Sequence, residues 1–149
     1  MPGSLDHSPA DVLRRVLIAL GVGTDPALGG SWPIFAAGEP DKPDSAITVY
    51  DTTGTQQGRT HTDGEVQEHH GVQVRIRAAS HSAGYAKARD VATALDRDLY
   101  QEIATLGAAR YMIHAATRTS DVLTLGRESP TSKRTLFTLN AVLSVRQTN

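Results

Sequence analysis

The residues of this chain best suited to chemistry lie together in one short segment: His61, Asp63, Glu65, Glu68, His69 and His70. Imidazole and carboxylate are ligands that zinc accepts, and a site needs three or four of them converging on one point from rigid elements. No His-x-x-x-His pair suited to one helix face occurs here, and the surroundings are polar and Gly-bearing. The segment reads as a solvated polar loop, with a small metal-dependent enzyme built on His61–His70 as the alternative.

The other chemical patterns are weaker. Gly54, Gly58 and Gly64 suggest a phosphate loop, but no Gly-Lys-Ser/Thr follows them to open a helix toward an anion, so they read as turn glycines. Gly21 and Gly23 end a helical pattern, where a dinucleotide loop would begin one. Ser80, His81 and Ser82 are adjacent, which is not how a catalytic triad is assembled, and Ser80 or Ser82 serves more simply as a helix cap. His114 has no partner in view and reads as a polar residue on a half-buried strand. Stacking of nucleic acid needs exposed aromatic side chains between basic ones. Only 5% of residues are aromatic, and Arg75 and Arg77 have no Phe or Tyr beside them. Arg127, Lys133, Arg134 and Arg146 are scattered and read as solvated.

Composition narrows the classes further. The 149 residues fit one domain, and 39% hydrophobic with 21% charged residues can build a core. A net charge of −1 gives no general attraction to nucleic acid or an anionic membrane. The absence of Cys removes disulfides, thiolate metal sites and thiol nucleophiles together. Met1–Asp6 has no signal-peptide pattern, and the longest apolar run, Val16–Leu20, is far short of a bilayer span. A reducing, aqueous compartment is expected.

The elements that must position these residues follow from periodicity. Ser8 as cap, Pro9 and Asp11 open a first helix, Val12, Leu13, Val16, Leu17 and Leu20 form its apolar stripe, and Gly21 closes it. Val22–Asp44 carries repeated Gly and Pro and reads as a loop with an apolar patch at Trp32, Ile34 and Phe35. Ala46–Tyr50 is a short strand. Asp51–Gly71 is polar and reads as a long excursion, placed at about 52–70, ordered by a partner if at all. Val72–Ala78 alternates strictly and is the cleanest strand. A second helix follows, with Tyr85, Ala88, Val91, Ala92, Leu95 and Leu99 as its buried stripe. Strands are expected around Tyr111–Ala115, Val122–Leu125 and Phe137–Val145.

These elements amount to an α+β domain: a mixed sheet of about five strands with two helices packed on one face. The span from Val72 through the second helix to Ala115 allows a right-handed βαβ crossover. Arg75 and Arg77 fall on the strand face away from Val74 and Ile76, where they meet water or a neighbouring subunit.

In this order the elements resemble the tail terminator (minor capsid, tail completion) proteins of long-tailed phages. The resemblance rests on the amphipathic first helix followed by Trp32-Pro33-Ile34-Phe35 and on the Ile47–Thr52 strand. It rests also on Gly71–Arg77 leading into a helix with Tyr85 and Ala88, and on Leu125-Gly126-Arg127-Glu128 before a strand holding Leu139-Asn140. Residues 56–70 match nothing in that pattern.

The resemblance implies a structural virion protein with no catalysis and no cofactor. It implies a hexameric ring that caps the tail tube, contacts the major tail tube protein and the head-side connector or stopper, and lets DNA pass without sequence-specific binding. It places the protein in the tail-neck region, assembled in the host cytoplasm without a membrane. Arg75, Arg77, Trp32, Phe35 and Arg127 are the expected interface residues. A head-closure or connector adaptor is the nearest alternative. A dimeric small-molecule-binding domain using Trp32 and Phe35 is a more distant one.

Overall fold

The computed structural model describes residues 5–59 and 66–148, with the backbone alone described for 53–59 and 66–68. Helix α1 spans Pro9–Ala19 and helix α2 spans His81–Thr93, the latter running into a wider π turn at Ala94–Asp98. Seven strands complete the fold. They are β1 Ile34–Ala36, β2 Ala46–Arg59, β3 Val66–Ala78, β4 Glu102–Leu106, β5 Ala109–Arg118, β6 Leu123–Arg127 and β7 Thr135–Gln147.

The caps of α1 are those its sequence dictates. The Ser8 hydroxyl accepts from the Asp11 amide, and Pro9 occupies the first turn, where no backbone donor is required. At the other end Gly21 adopts φ +78°, and the Val22 amide reaches back to the Leu17 carbonyl, which stops the helix. The Asp51 carboxylate adds a cap from outside, accepting from the Ala10 amide at 2.8 Å.

The strands form one mixed sheet in the order β1-β2-β3-β7-β5-β4. Only β1–β2 is parallel, and the other neighbours are antiparallel. Strand β7 is the spine. One edge pairs with β3 along Thr135–Ser144, while the other is shared between β6 at Thr135–Thr138 and β5 at Ala141–Gln147.

Alternation along paired strands puts Ile47, Val49, Val72, Val74, Ile76, Phe137, Leu139 and Ala141 on one face. Residues of both helices join these in a single buried cluster, so both helices cover the same face. Gly84 sets how closely α2 approaches: a Cβ there would stand 2.3 Å from the Phe137 ring and 2.9 Å from the Ala78 Cβ.

The α+β class and the helix placement agree with the sequence reading, and four details correct it. First, the sheet has two strands beyond the expected five. The first is β1, only three residues long in a segment that its Gly and Pro mark as loop. The second is β4, whose inward side chain at Ala104 is too small to show as an apolar alternation. Second, the described parts of the polar excursion are strand: β2 continues to Arg59 and β3 begins at Val66, with Thr55↔His69, Gln56↔Glu68 and Arg59↔Val66 paired. Backbone pairing needs no apolar side chain, so composition alone hid this ladder.

Third, the expected crossover is interrupted. Strands β3 and β5 do run parallel, but β7 lies between them and α2 leads first to β4. Fourth, Tyr85 is 43% exposed, and Gly84 takes the place in the buried stripe given to Tyr85.

Candidate assembly surfaces

The face of the sheet without helices carries two of the side chains that the sequence marked for contact, Arg75 and Arg77. Register places Thr48 and Tyr50 of β2, Gln73, Arg75 and Arg77 of β3, and Leu136, Thr138 and Asn140 of β7 on this side. Its Arg77 end is covered by residues 37–45, a strap that leaves β1 and returns to β2.

Arg77 fastens this strap. It is 2% exposed; its Nη1 lies 3.1 Å from Glu39 Oε1, its Nε donates to the Asp44 carbonyl at 3.2 Å, and its Nη2 donates to the carbonyls of Asp41 and Pro43. A guanidinium carries five fixed donors, which suits it to a fan of carbonyls around one carboxylate. Arg75 Nε stands 3.1 Å from the other oxygen of Glu39, an ion pair not aligned as a hydrogen bond. Arg134 completes the clamp by donating to the Asp41 carbonyl and pairing with Glu128, Asp41 and Asp44. Tyr50 lies further along the same face, in register with Gln73; burial pushes its phenol pKa up, and the Glu39 charge adds to the rise.

This arrangement corrects the expectation for Arg77, which meets its own strap instead of water or another subunit. A charge inside a protein is tolerated when it is paired and fully hydrogen-bonded, and residues 39–44 supply those partners. Arg75 keeps partial exposure. The remaining interface candidates do not gather at one place. Phe35 is half-buried on β1, in register with Thr48. Trp32 is half-buried against the core, with Lys87 Nζ 5.4 Å from its ring centre. Arg127 is exposed at the end of β6, on the far side of β7.

The hairpin of β2 and β3 provides a second surface. Strand β7 pairs with β3 only as far as His69, and β1 pairs with β2 only across Ile47–Val49. Beyond those limits the described ladder, out to Arg59↔Val66, is two-stranded. Thr55 still faces His69, so at ~3.4 Å per residue residues 56–59 add roughly 14 Å of strand past the sheet body.

The hypothetical metal ligands divide across this hairpin. His61, Asp63 and Glu65 lie outside the described residues, as do Gly64 and the Glu68 side chain. His69 and His70 are consecutive on β3, in register with Ser144 and Leu143, so their side chains leave opposite faces of the sheet. Among the described residues no group of three His, Cys, Asp or Glu is placed to hold a metal ion. Ser80 caps α2 by accepting from the Ala83 amide, and His81 packs at 5.5 Å from the Phe137 ring. His114 is exposed at the β5 bulge, on a strand with one side buried. No helix among the described residues is long and apolar enough to cross a membrane.

Sequence reasoning missed some anchoring contacts. Arg14 of α1 donates through Nε to the Ile34 carbonyl at 2.7 Å and ties β1 to α1. The His7 ring bonds the buried Tyr111 hydroxyl, which holds the segment before α1 against β5. Neither pair has a local sequence signal, because the partners are far apart along the chain.

Comparison with known proteins gives one informative result. No curated protein matches the chain. One solved structure, of a chain designated without a functional name, has a TM-score of 0.42 at 13% identity, covering 77% of this chain and 79% of the other; so loose a likeness carries no argument. The sequence matches the family described as bacteriophage tail terminator protein across residues 16–140, from the middle of α1 into β7. That span is most of the chain and includes every strand except the second half of β7, and the family is one of structural tail components, which makes this a virion protein: the chain belongs to the bacteriophage tail terminator family.

Proposed function

We propose that the chain is one subunit of a ring, hexameric in the completed particle, that caps the finished tail tube and then receives the head-side connector. The family match over residues 16–140 carries this reading. The fold is compatible with it. A ring needs a surface on each subunit that meets a different surface on the next, and this subunit has separate candidates in the β2–β3 hairpin, the β1 side with Trp32 and Phe35, and the β6 end with Arg127. Arg75, partly exposed beside the strap, remains a candidate contact. The partners are further copies of the chain, the tail tube protein and the connector or stopper, with DNA passing through the ring unread. The site is the tail-neck junction of a particle assembled in the host cytoplasm.

The test is electron microscopy of particles made by the encoding phage without this chain. Tails of irregular length that do not join filled heads are the expected outcome. Normal, infectious particles would contradict the proposal.

A further inference from the structure

Several strand edges lack a strand partner among the described residues, among them β4 at one end of the sheet and β2 beyond Val49 at the other, and α1 packs close to both strands. Strand β4 is the terminal strand at one end, and its outer edge pairs with no strand among the described residues. At the other end β1 covers β2 only to Val49, so the described outer edge of β2 from Tyr50 onward has no strand partner. Sheet edges are usually guarded by Pro, Lys, bulges or covering loops, because an open ladder recruits further strands. Strand β4, Glu-Ile-Ala-Thr-Leu, has no Pro and no Lys; Ile103 is 49% exposed, and Tyr100 just before it is 70% exposed.

The two edges are compatible in direction and in face. Four successive antiparallel pairings, β2–β3, β3–β7, β7–β5 and β5–β4, return the chain to its original sense, so β2 and β4 run the same way. A rotation about a ring axis preserves the direction of strands that run along it. Ile103 is in register with Met112, Met112 with Arg146, and Thr52 with Gly71; these place Ile103 and Thr52 on the same, helix-free face.

We infer that the β4 edge of one protomer pairs, in parallel, with the β2 edge at Tyr50–Thr52 of a second copy, so that the sheet continues from subunit to subunit. The inference rests on the ring reading above and supplies its contact. A second copy is the occupant because the chain itself carries the complement to each edge. Repetition of this pairing around a ring leaves neither edge open, whereas β4-to-β4 pairing would leave β2 uncovered. Ile103 would then lie against the side chains of the neighbour's β2, removed from water.

The lack of Cys makes the test clean. Ile103→Cys and Thr52→Cys are prepared singly and together in the full chain and treated with a short bismaleimide, whose reach tolerates a shift of one residue pair. The double variant should give a covalent ladder of rising multiples. Each single variant alone should remain monomeric on denaturing gels, and the two singles mixed should give dimers and nothing larger. Ile103→Lys should weaken self-association by about tenfold or more, with an unchanged melting curve.

Cross-linking of Ile103→Cys to itself would show β4-to-β4 pairing and overturn the inference. So would an unlinked double variant under conditions where native mass measurement finds multimers; the ring reading would survive that outcome. A chain that stays monomeric both alone and on purified tail tubes would overturn both.

Discussion

Residues 37–45 and residues 51–71 look alike in sequence, since both are polar, broken by Gly or Pro, and poor in large apolar side chains. Their fates differ. The first is a strap drawn onto the sheet by Arg77, Arg75 and Arg134, its carbonyls and carboxylates spent inside the protomer. The second is, in its described parts, a β ladder that leaves the sheet, its two strands paired with each other on one side without a core of their own. One is locked to the subunit. The other extends from it. The comparison teaches that low hydrophobicity does not identify a free loop: a buried cation or a paired backbone can organise a segment without apolar burial.

The sharpest way to break this comparison is Arg77→Ala. It leaves Glu39 and three carbonyls without their buried donor, and should cost about 3–5 kcal/mol in urea unfolding, as for other buried pairs that lose one partner. A loss under about 1 kcal/mol would mean the strap is held by other contacts. Arg75→Ala removes a partly exposed ion pair to the same carboxylate and should cost only about 0.5–1 kcal/mol. The two residues stand two positions apart on one strand face, so equal losses would contradict the burial difference between them.

On the other side of the comparison, replacing residues 56–68 by a short Gly-Ser turn should shift stability by no more than about 0.5 kcal/mol while reducing assembly onto tail tubes. Unfolding of the variant would show that the ladder supports the core after all. The smallest effect concerns Tyr50, on the same sheet face and in register with Gln73. Its folded pKa is raised, so its stabilising contribution is complete below the ordinary tyrosine value near 10 and is lost as pH rises through the folded value. Tyr50→Phe should therefore flatten the alkaline limb of the stability curve above about pH 10. Parallel alkaline limbs in variant and wild type would remove Tyr50 as its cause.

Much of the fold was legible because it rests on short-range patterns. The cap at Ser8, the stop at Gly21 and the alternation through Val72–Ala78 state their structure within a few residues. The last strand, from Phe137 to Val145, does the same. Strand β1 was hidden because three residues carry no period and its ladder depends on β2, reached only after the strap. The role of Arg77 was hidden for a related reason. Alternation tells which face a side chain takes, not what later covers that face, and the covering residues 39–44 precede Arg77 by more than thirty positions. Gly84 had a local cue in being a glycine inside a helix, but its reason, the approach of Phe137, comes from the far end of the chain.

The central claim is a position in the particle: the head-side end of the tail tube. Leu28 is 85% exposed beside Gly29 and Gly30, so a small epitope inserted there should leave the fold intact. Immunogold electron microscopy of infectious particles carrying that insertion tests the claim most directly. The account predicts label confined to the junction of head and tail; label along the tube, at the distal tip, or absent from particles that infect normally would contradict it.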